Sequence, residues 1–341
     1  MSHMTNSRIE KCIQDTVENA EQQLDQLLKE YDWVKKCNDY AVKILQNINI
    51  IKQNKSKFYQ SKGLYVYTNV GDSSGNANKF QLRYSGQIVA YIEIQNDEPY
   101  LFTSSEQNKN NSKIFKINTY NLSNGVKWTD DKAKEFRKAF AECTKLAKSP
   151  EHTLESALLT IFEKKETDNG TMAMPFIQPV KIANICRFQM PTHLKASGKI
   201  LEPTKQLSRG IDILARIGRG GSSRLCVMEL KDEPENPLTT MQQGVAYAVF
   251  LRKLLANESD GAWSSIFGYK KYRKEYSITV CIVMPYDEKM TYDETTGGEI
   301  IFNHTISTDA GVLKLRQLYI KKDWKNNIQI EREHSTFTSK G

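Results

Sequence analysis

No run of apolar residues in this chain approaches the roughly 18 that a membrane span needs, and the opening MSHMTNSR has no apolar signal-peptide core. Its first four residues read as an expression remnant, so the folded part is expected to begin at residue 5. Cysteine is sparse and scattered: Cys12, Cys37, Cys143, Cys186, Cys226 and Cys281 lie far apart, with no CxxC pair. That argues against zinc ribbons, CxxC redox motifs and a disulfide framework, and it suits a reducing cytoplasm. The histidines have neither metal-ligand spacing nor a neighbouring Cys or Ser arrangement, which leaves nucleophilic hydrolase chemistry without support. The one glycine-rich stretch, GRGGSS (218–223), lacks the GxxxxGK[ST] form of a phosphate loop and reads as a hairpin turn.

What is present is a chain of 341 residues, 39% hydrophobic and 26% charged, enough for about two globular domains. The net charge of +8 favours polyanionic partners. Two segments concentrate it, GYKKYRKEY (268–276) and KLRQLYIKKDWKNN (314–327), interleaving Lys and Arg with Tyr and Trp. Such runs can follow a phosphate backbone while their rings stack on bases, or can simply be a solvated face. Lys270, Lys271, Arg273 and Lys274 are the candidate phosphate contacts.

Residues 8–62 contain neither Pro nor Gly. Within them Ile13, Val17, Ala20, Leu24, Leu27, Tyr31, Val34, Asn38, Ala41, Leu45 and Ile48 recur in steps of three and four, a heptad register with one polar core position. Two readings follow: one long helix forming a coiled coil between two copies, hence a homodimer, or a helical hairpin breaking near KKCND (35–39). Next comes a β-rich stretch with strands at 63–70, 79–86, 87–94 and 99–104, and a possible further strand at 112–120. An amphipathic helix follows at 130–148, with Phe136, Phe140, Cys143 and Ala147 on one face. Ser149-Pro150 ends it and opens the next helix, so the boundary is placed there: an N-terminal helical and β-rich domain at 5–148 and a second domain at 149–341.

The second domain reads as helix (151–165), then KIANICRFQMP (181–191), strands GIDILARI (210–217) and RLCVMELK (224–231), and a helix over 239–255 capped by Thr239 or Thr240. The apolar strand YSITVCIVMP (276–285) closes the series. The pattern predicts an α/β domain with a mixed central sheet flanked by helices.

Alternation along 224–231 puts Leu225, Val227, Glu229 and Lys231 on one face, so a carboxylate and an amine close a largely apolar strand. The GRGGSS turn makes the segment carrying Asp212 the antiparallel partner and brings a second carboxylate near the first. Two such acids repel and lose hydration, a conflict a divalent cation resolves. The plain alternative is a turn-capping Asp212 and an exposed Glu229–Lys231 edge pair.

The order acid strand, Gly turn, ExK strand, Gln-bearing helix resembles the PD-(D/E)XK nuclease superfamily, over roughly residues 150–290. The Gly-Ile-Asp form is similar to resolvase-type members, though Ile211 stands where the family motif has Pro. Gln243 and Tyr247 match the QxxxY element of RecB-like members, and Glu155 matches the additional acid on the helix that opens the domain. The resemblance implies a restriction-endonuclease-like fold and a Mg²⁺ or Mn²⁺ ion held by Asp212, Glu229 and Glu155. It implies that Lys231 and Gln243 assist catalysis, that Tyr247 lies against the nucleic acid, and that DNA is hydrolysed, with RNA left open. Gln243 as a surface residue, Tyr247 as core and Glu155 as a helix-dipole acid are the structural alternatives. A restriction or host-defence setting suits such an architecture. Two other functions stay open: a non-catalytic nucleic-acid-binding protein with the same fold, and a nuclease switched on by a ligand of the N-terminal domain.

Overall fold

The computed structural model describes residues 6–58, 63–68, 78–118, 120–163, 177–197, 200–218, 222–258, 261–270, 277–287, 305–308, 311–321, 323–325 and 330–335. It is a mixed α/β structure of two compact units: Met1–Asp39, Leu158–Pro179 and Met190–Gly341 form one, Tyr40–Ala157 and Val180–Gln189 the other. The chain thus passes between units four times, where the sequence suggests a single boundary at 148/149. Among the described residues no helix is long and apolar enough to cross a membrane.

In the first unit the mixed sheet runs Thr305–Thr308, Gly311–Ile320, Ile278–Pro285, Arg224–Leu230, Ile213–Ile217, Ile177–Pro179, with Ile330–Ser335 also pairing Gly311–Ile320. Its three middle strands are parallel. The helix Pro237–Ala256 links two of them as a crossover. All eight residues of Ile278–Pro285 are buried, as expected of a strand covered on both sides. The crossover helix starts earlier than Thr239: Asn236 Oδ1 accepts from the Leu238 and Thr239 amides, at 2.9 and 3.3 Å, and Pro237 takes the first turn. A hairpin of Pro191–Ser197 and Ile200–Arg209, not foreseen in the sequence, stands outside this sheet and packs on the same helix.

Of the two readings for residues 8–62, the structure has the broken one, with the break earlier than 35–39: the helices are Asn6–Glu30 and Trp33–Gln53. Asp32 causes the break by accepting the Lys35 amide at 3.0 Å and so capping the second helix. The break resets the phase of the stripe: Ile13, Val17, Ala20, Leu24 and Leu27 are buried as read, but beyond it Val34, Cys37, Ala41, Ile44 and Ile51 are buried and Asn38, Leu45 and Ile48 are not. Helix Asn6–Glu30 lies along Pro237–Ala256, with Gln242 Nε2 donating to Thr16 Oγ1 at 3.0 Å. The first half of the stripe, Ile13 to Leu27, is therefore buried inside the chain.

The second unit has its own sheet, ordered Val126–Lys127, Glu98–Phe102, Gln87–Gln95, Lys79–Tyr84, Leu64–Thr68, Cys186–Arg187, Lys181–Ile182. The last two strands are a tight hairpin, with Ala183 and Asn184 at φ 54° and 59°. One face is a core of Val66, Phe80, Leu82, Ile92 and Leu101, covered in part by Phe58 and Trp128. The segment expected as a strand at 112–120 instead begins as a π-helical turn, Asn111–Phe115, continuing the helix Ser105–Asn110 and closed by Lys116 at φ 59°. The helix expected to reach 148 ends at Ala141. Beyond it the chain is tied across the Tyr84–Gln87 turn, where Tyr84 Oη donates to the Cys143 carbonyl at 2.6 Å and the Ala147 amide donates to Ser85 Oγ at 3.2 Å. Ser149 caps the helix Pro150–Glu163 through the His152 amide.

Candidate active site

The antiparallel ladder between Ile213–Ile217 and Arg224–Leu230 pairs Ile213 with Met228. Asp212 directly precedes the first of these strands, and Glu229 is the next residue after Met228 in the second. Asp212 Oδ2 accepts the Leu230 amide at 2.9 Å, which fixes the carboxylate at the strand end. The Lys231 amide continues the ladder to the Val283 carbonyl at 2.9 Å, so the lysine too is anchored by its backbone. Its Nζ donates to Glu229 Oε1 at 3.3 Å, with side-chain exposures of 13% for Lys231 and 3% for Glu229. These exposures remove the edge-pair alternative, because this ion pair is largely out of water.

The crossover helix lies over this row. A Cβ built on Gly244 would stand 3.8 Å from Glu229 Cβ and only 2.6 Å from Val280 Cγ1, so helix and strands meet where glycine makes room. On the same helix, the Tyr247 phenol accepts the Ala196 amide at 3.3 Å and donates to the Ala196 carbonyl at 3.5 Å, pinning the Pro191–Ser197 strand. Burial pushes the Tyr247 phenol up to about 12, and the Glu229 and Asp212 charges push the same way. Hydrogen bonds from Gln243 and Ala196 act against them. Asp212, Glu229, Lys231, Gln243 and Tyr247 are thus brought together in one unit, Tyr247 buried and Gln243 half-buried. Gln242, the neighbouring glutamine, is spent on Thr16.

Glu155 belongs to the other unit, where it is buried and its charge is felt at Tyr67, alongside Arg187 and Arg83. The basic segment 314–327 is neither a phosphate track nor a solvated face over its first half. Gly311–Ile320 is an inner strand, with Leu313, Leu315, Arg316, Gln317, Leu318, Tyr319 and Ile320 buried. Trp324 is buried as well and donates from Nε1 to the Asp232 carbonyl at 3.3 Å, bracing the loop after Lys231. Lys270 is exposed, whereas Lys271, Arg273 and Lys274 lie outside the described residues. His193 is turned away from metal work: its Nδ1 is 2.8 Å from the Thr204 carbonyl and its ring packs on Tyr31 and Trp33.

Two contributors went unread in the sequence. Gly244 had a signal, as an isolated glycine inside a helical pattern marks a close approach. Ala196 acts only through its backbone and had none. Among the described residues no group of three or more His, Cys, Asp or Glu is placed to hold a metal. The donor set of Asp212 and Glu229 still fits Mg²⁺, which takes one or two carboxylates and completes its shell with water and phosphate oxygens. Comparison with protein families, curated proteins and solved structures returns no match, so the assignment rests on this geometry.

Proposed function

We propose that the unit carrying Asp212, Glu229 and Lys231 is a restriction-endonuclease-like domain that hydrolyses phosphodiester bonds, with DNA as substrate and Mg²⁺ or Mn²⁺ as cofactor. One observation carries the reading: Asp212, directly before one strand and bonded to the Leu230 amide, stands beside the end of the next strand, where a lysine amine lies 3.3 Å from the buried Glu229. Asp212 and Glu229 offer oxygen donors alone, which suits a hard divalent cation.

Asp212, kept in place by the Leu230 amide, and Glu229 would hold the ion. When bound, the ion supplies charge for the developing phosphorane and lowers the pKa of a water. The Lys231 ammonium, beside Glu229, would orient the attacking water and neutralise charge on the phosphate. Gln243 and Tyr247 keep the crossover helix and the Pro191–Ser197 strand fixed around the site. Lys270 offers an exposed phosphate contact in the same unit.

The test is cleavage of circular and linear DNA by wild type and Lys231→Ala, in Mg²⁺, Mn²⁺ and EDTA. Metal-dependent cutting that disappears in the variant is the expected result, and the circular substrate separates endonuclease from exonuclease action. Absence of cutting by wild type, with DNA binding indifferent to metal, overturns the proposal in favour of a non-catalytic binding protein.

A further inference from the structure

His193 has no part in the candidate site, yet it is sealed in the first unit at 1% exposure, on the strand Pro191–Ser197. Its neighbours decide where its proton sits. The Thr204 carbonyl, 2.8 Å from Nδ1, can only accept, so Nδ1 is the protonated nitrogen. Nε2 is then a bare acceptor, buried and without a hydrogen-bond partner among the described residues. The ring packs at the corner between the helices Asn6–Glu30 and Trp33–Gln53, its centre 5.6 Å from that of Tyr31 and 6.4 Å from that of Trp33. Trp33 is itself fixed: it packs on Phe250 of the crossover helix at 5.1 Å, and its Nε1 donates to the Leu24 carbonyl at 3.1 Å. The imidazole therefore joins the hairpin of Pro191–Ser197 and Ile200–Arg209 to a braced corner.

A second proton changes this joint. It turns Nε2 into a donor with no acceptor and puts a full charge in a buried place. The charged neighbours do not compensate. Lys29, Glu30, Asp32 and Lys35 at the corner, and Lys195, Glu202 and Lys205 on the hairpin, are exposed, where water and salt screen them. Asp32 is committed to the Lys35 amide. On the crossover helix the charged groups are cations: Arg252, which donates to the Val312 carbonyl, and Lys253, which is paired with Asp25. The phenols of Tyr31 and Tyr247 stay neutral in acid. Burial accordingly holds the His193 pKa below the ordinary 6.5, with the Thr204 hydrogen bond acting against it.

We infer that His193 is a proton-operated latch: as a neutral ring it fastens the hairpin to the helix corner, and a proton on Nε2 opens that joint. Above about pH 6.5 the ring is neutral whether the joint is closed or open, and the latch holds at full strength. As the pH falls below that, the open form takes up the proton and the closed form does not, so each pH unit favours opening by up to about tenfold. Ala196, on the same strand, is the residue that Tyr247 pins, so the joint bears on the surroundings of the candidate site whatever reaction that site performs.

The test follows the full chain between about pH 8 and pH 5. Histidine-selective NMR reads the ring, its signal assigned by its loss in His193→Asn. A neutral ring, protonated at Nδ1, is expected to persist below about pH 6.5. Hydrogen–deuterium exchange, corrected for its intrinsic pH dependence, reads the joint. Amides of 24–37, 191–197 and 200–209 are expected to lose protection together, by up to about tenfold per pH unit below about pH 6.5, while those of the inner strand Ile278–Pro285 keep theirs. His193→Asn keeps a donor for Thr204 and does not titrate, so its protection is expected to be level across the range; His193→Gln replaces it if the asparagine protein does not fold. The inference is overturned if the ring takes up its second proton at or above about pH 6.5. It is overturned equally if protection of these segments is unchanged down to about pH 5, if the substituted protein shows the same loss, or if Ile278–Pro285 opens with them, which is global unfolding.

Discussion

Gly244 is where the candidate site can be probed without touching a titratable group. Gly244→Ala adds one methyl group 2.6 Å from Val280 Cγ1, and ordinary contact begins at 3.4 Å, so about 0.8 Å has to be found. Val280 is fully buried and β-branched, with little rotamer freedom on an inner strand. The helix therefore has to lift. Overpacking of this kind costs about 1–3 kcal/mol, while alanine in place of glycine returns about 1 kcal/mol of helix propensity. The expected net loss of up to about 2 kcal/mol lowers the melting temperature by about 2–4 °C per kcal/mol for a unit of this size. Lifting also carries Gln243 and Tyr247 off the Glu229 row, and misplacement on the ångström scale costs up to about 100-fold in turnover. Val280→Ala removes the clashing methyl. The double variant is expected to fall short of the summed single losses by about 1 kcal/mol or more and to regain activity. Thermal melts and DNA cleavage on the four proteins of the cycle measure both quantities. A Gly244→Ala protein that melts at or above wild type and cuts normally, with no coupling to Val280, refutes the reasoning.

Mg²⁺ is expected to raise the melting temperature of wild type, with Asp212→Asn and Glu229→Gln each abolishing the rise, since binding to the native state alone stabilises it; calorimetric scans at increasing Mg²⁺ check this. Tyr247 predicts an alkaline effect: its folded pKa of about 12 lies above the ordinary 10.0, so its contribution is intact below pH 10 and is lost between about pH 10 and 12, at about 1.4 kcal/mol per pH unit. Urea unfolding across that range is expected to show a slope shallower by one proton in Tyr247→Phe. Asn236→Ala removes the cap of the crossover helix and is expected to cost about 1 kcal/mol in the same measurement, whereas Thr239→Ala, beyond the cap, costs less.

How far the sequence could be read varied with the range over which each signal acts. The ExK strand was legible because alternation and burial are properties of seven consecutive residues, and the crossover helix because its apolar content is continuous. The break after Glu30 was also written locally, in Asp32, but the heptad pattern on both sides masked a one-residue change of phase. The strand Gly311–Ile320 was misjudged because its lysine and arginine look solvated in isolation. Only its neighbours in the sheet, Ile278–Pro285 and Thr305–Thr308, make it an inner strand. The pairing of Leu64–Thr68 with Cys186–Arg187 joins segments more than a hundred residues apart through one registered residue pair, Tyr67 with Arg187, and no local pattern announces it.

The hydrogen bond between Gln242 and Thr16 joins residues separated by 226 positions. At a synthesis rate of about 5–20 residues per second, the first helix leaves the ribosome tens of seconds before the surface it is built to cover. Through that interval Ile13, Val17, Ala20, Leu24 and Leu27 have no native partner. Nascent chains are therefore expected to recruit holding chaperones at their N-terminal end, and a chain cut at residue 148 strands this helix without its seat.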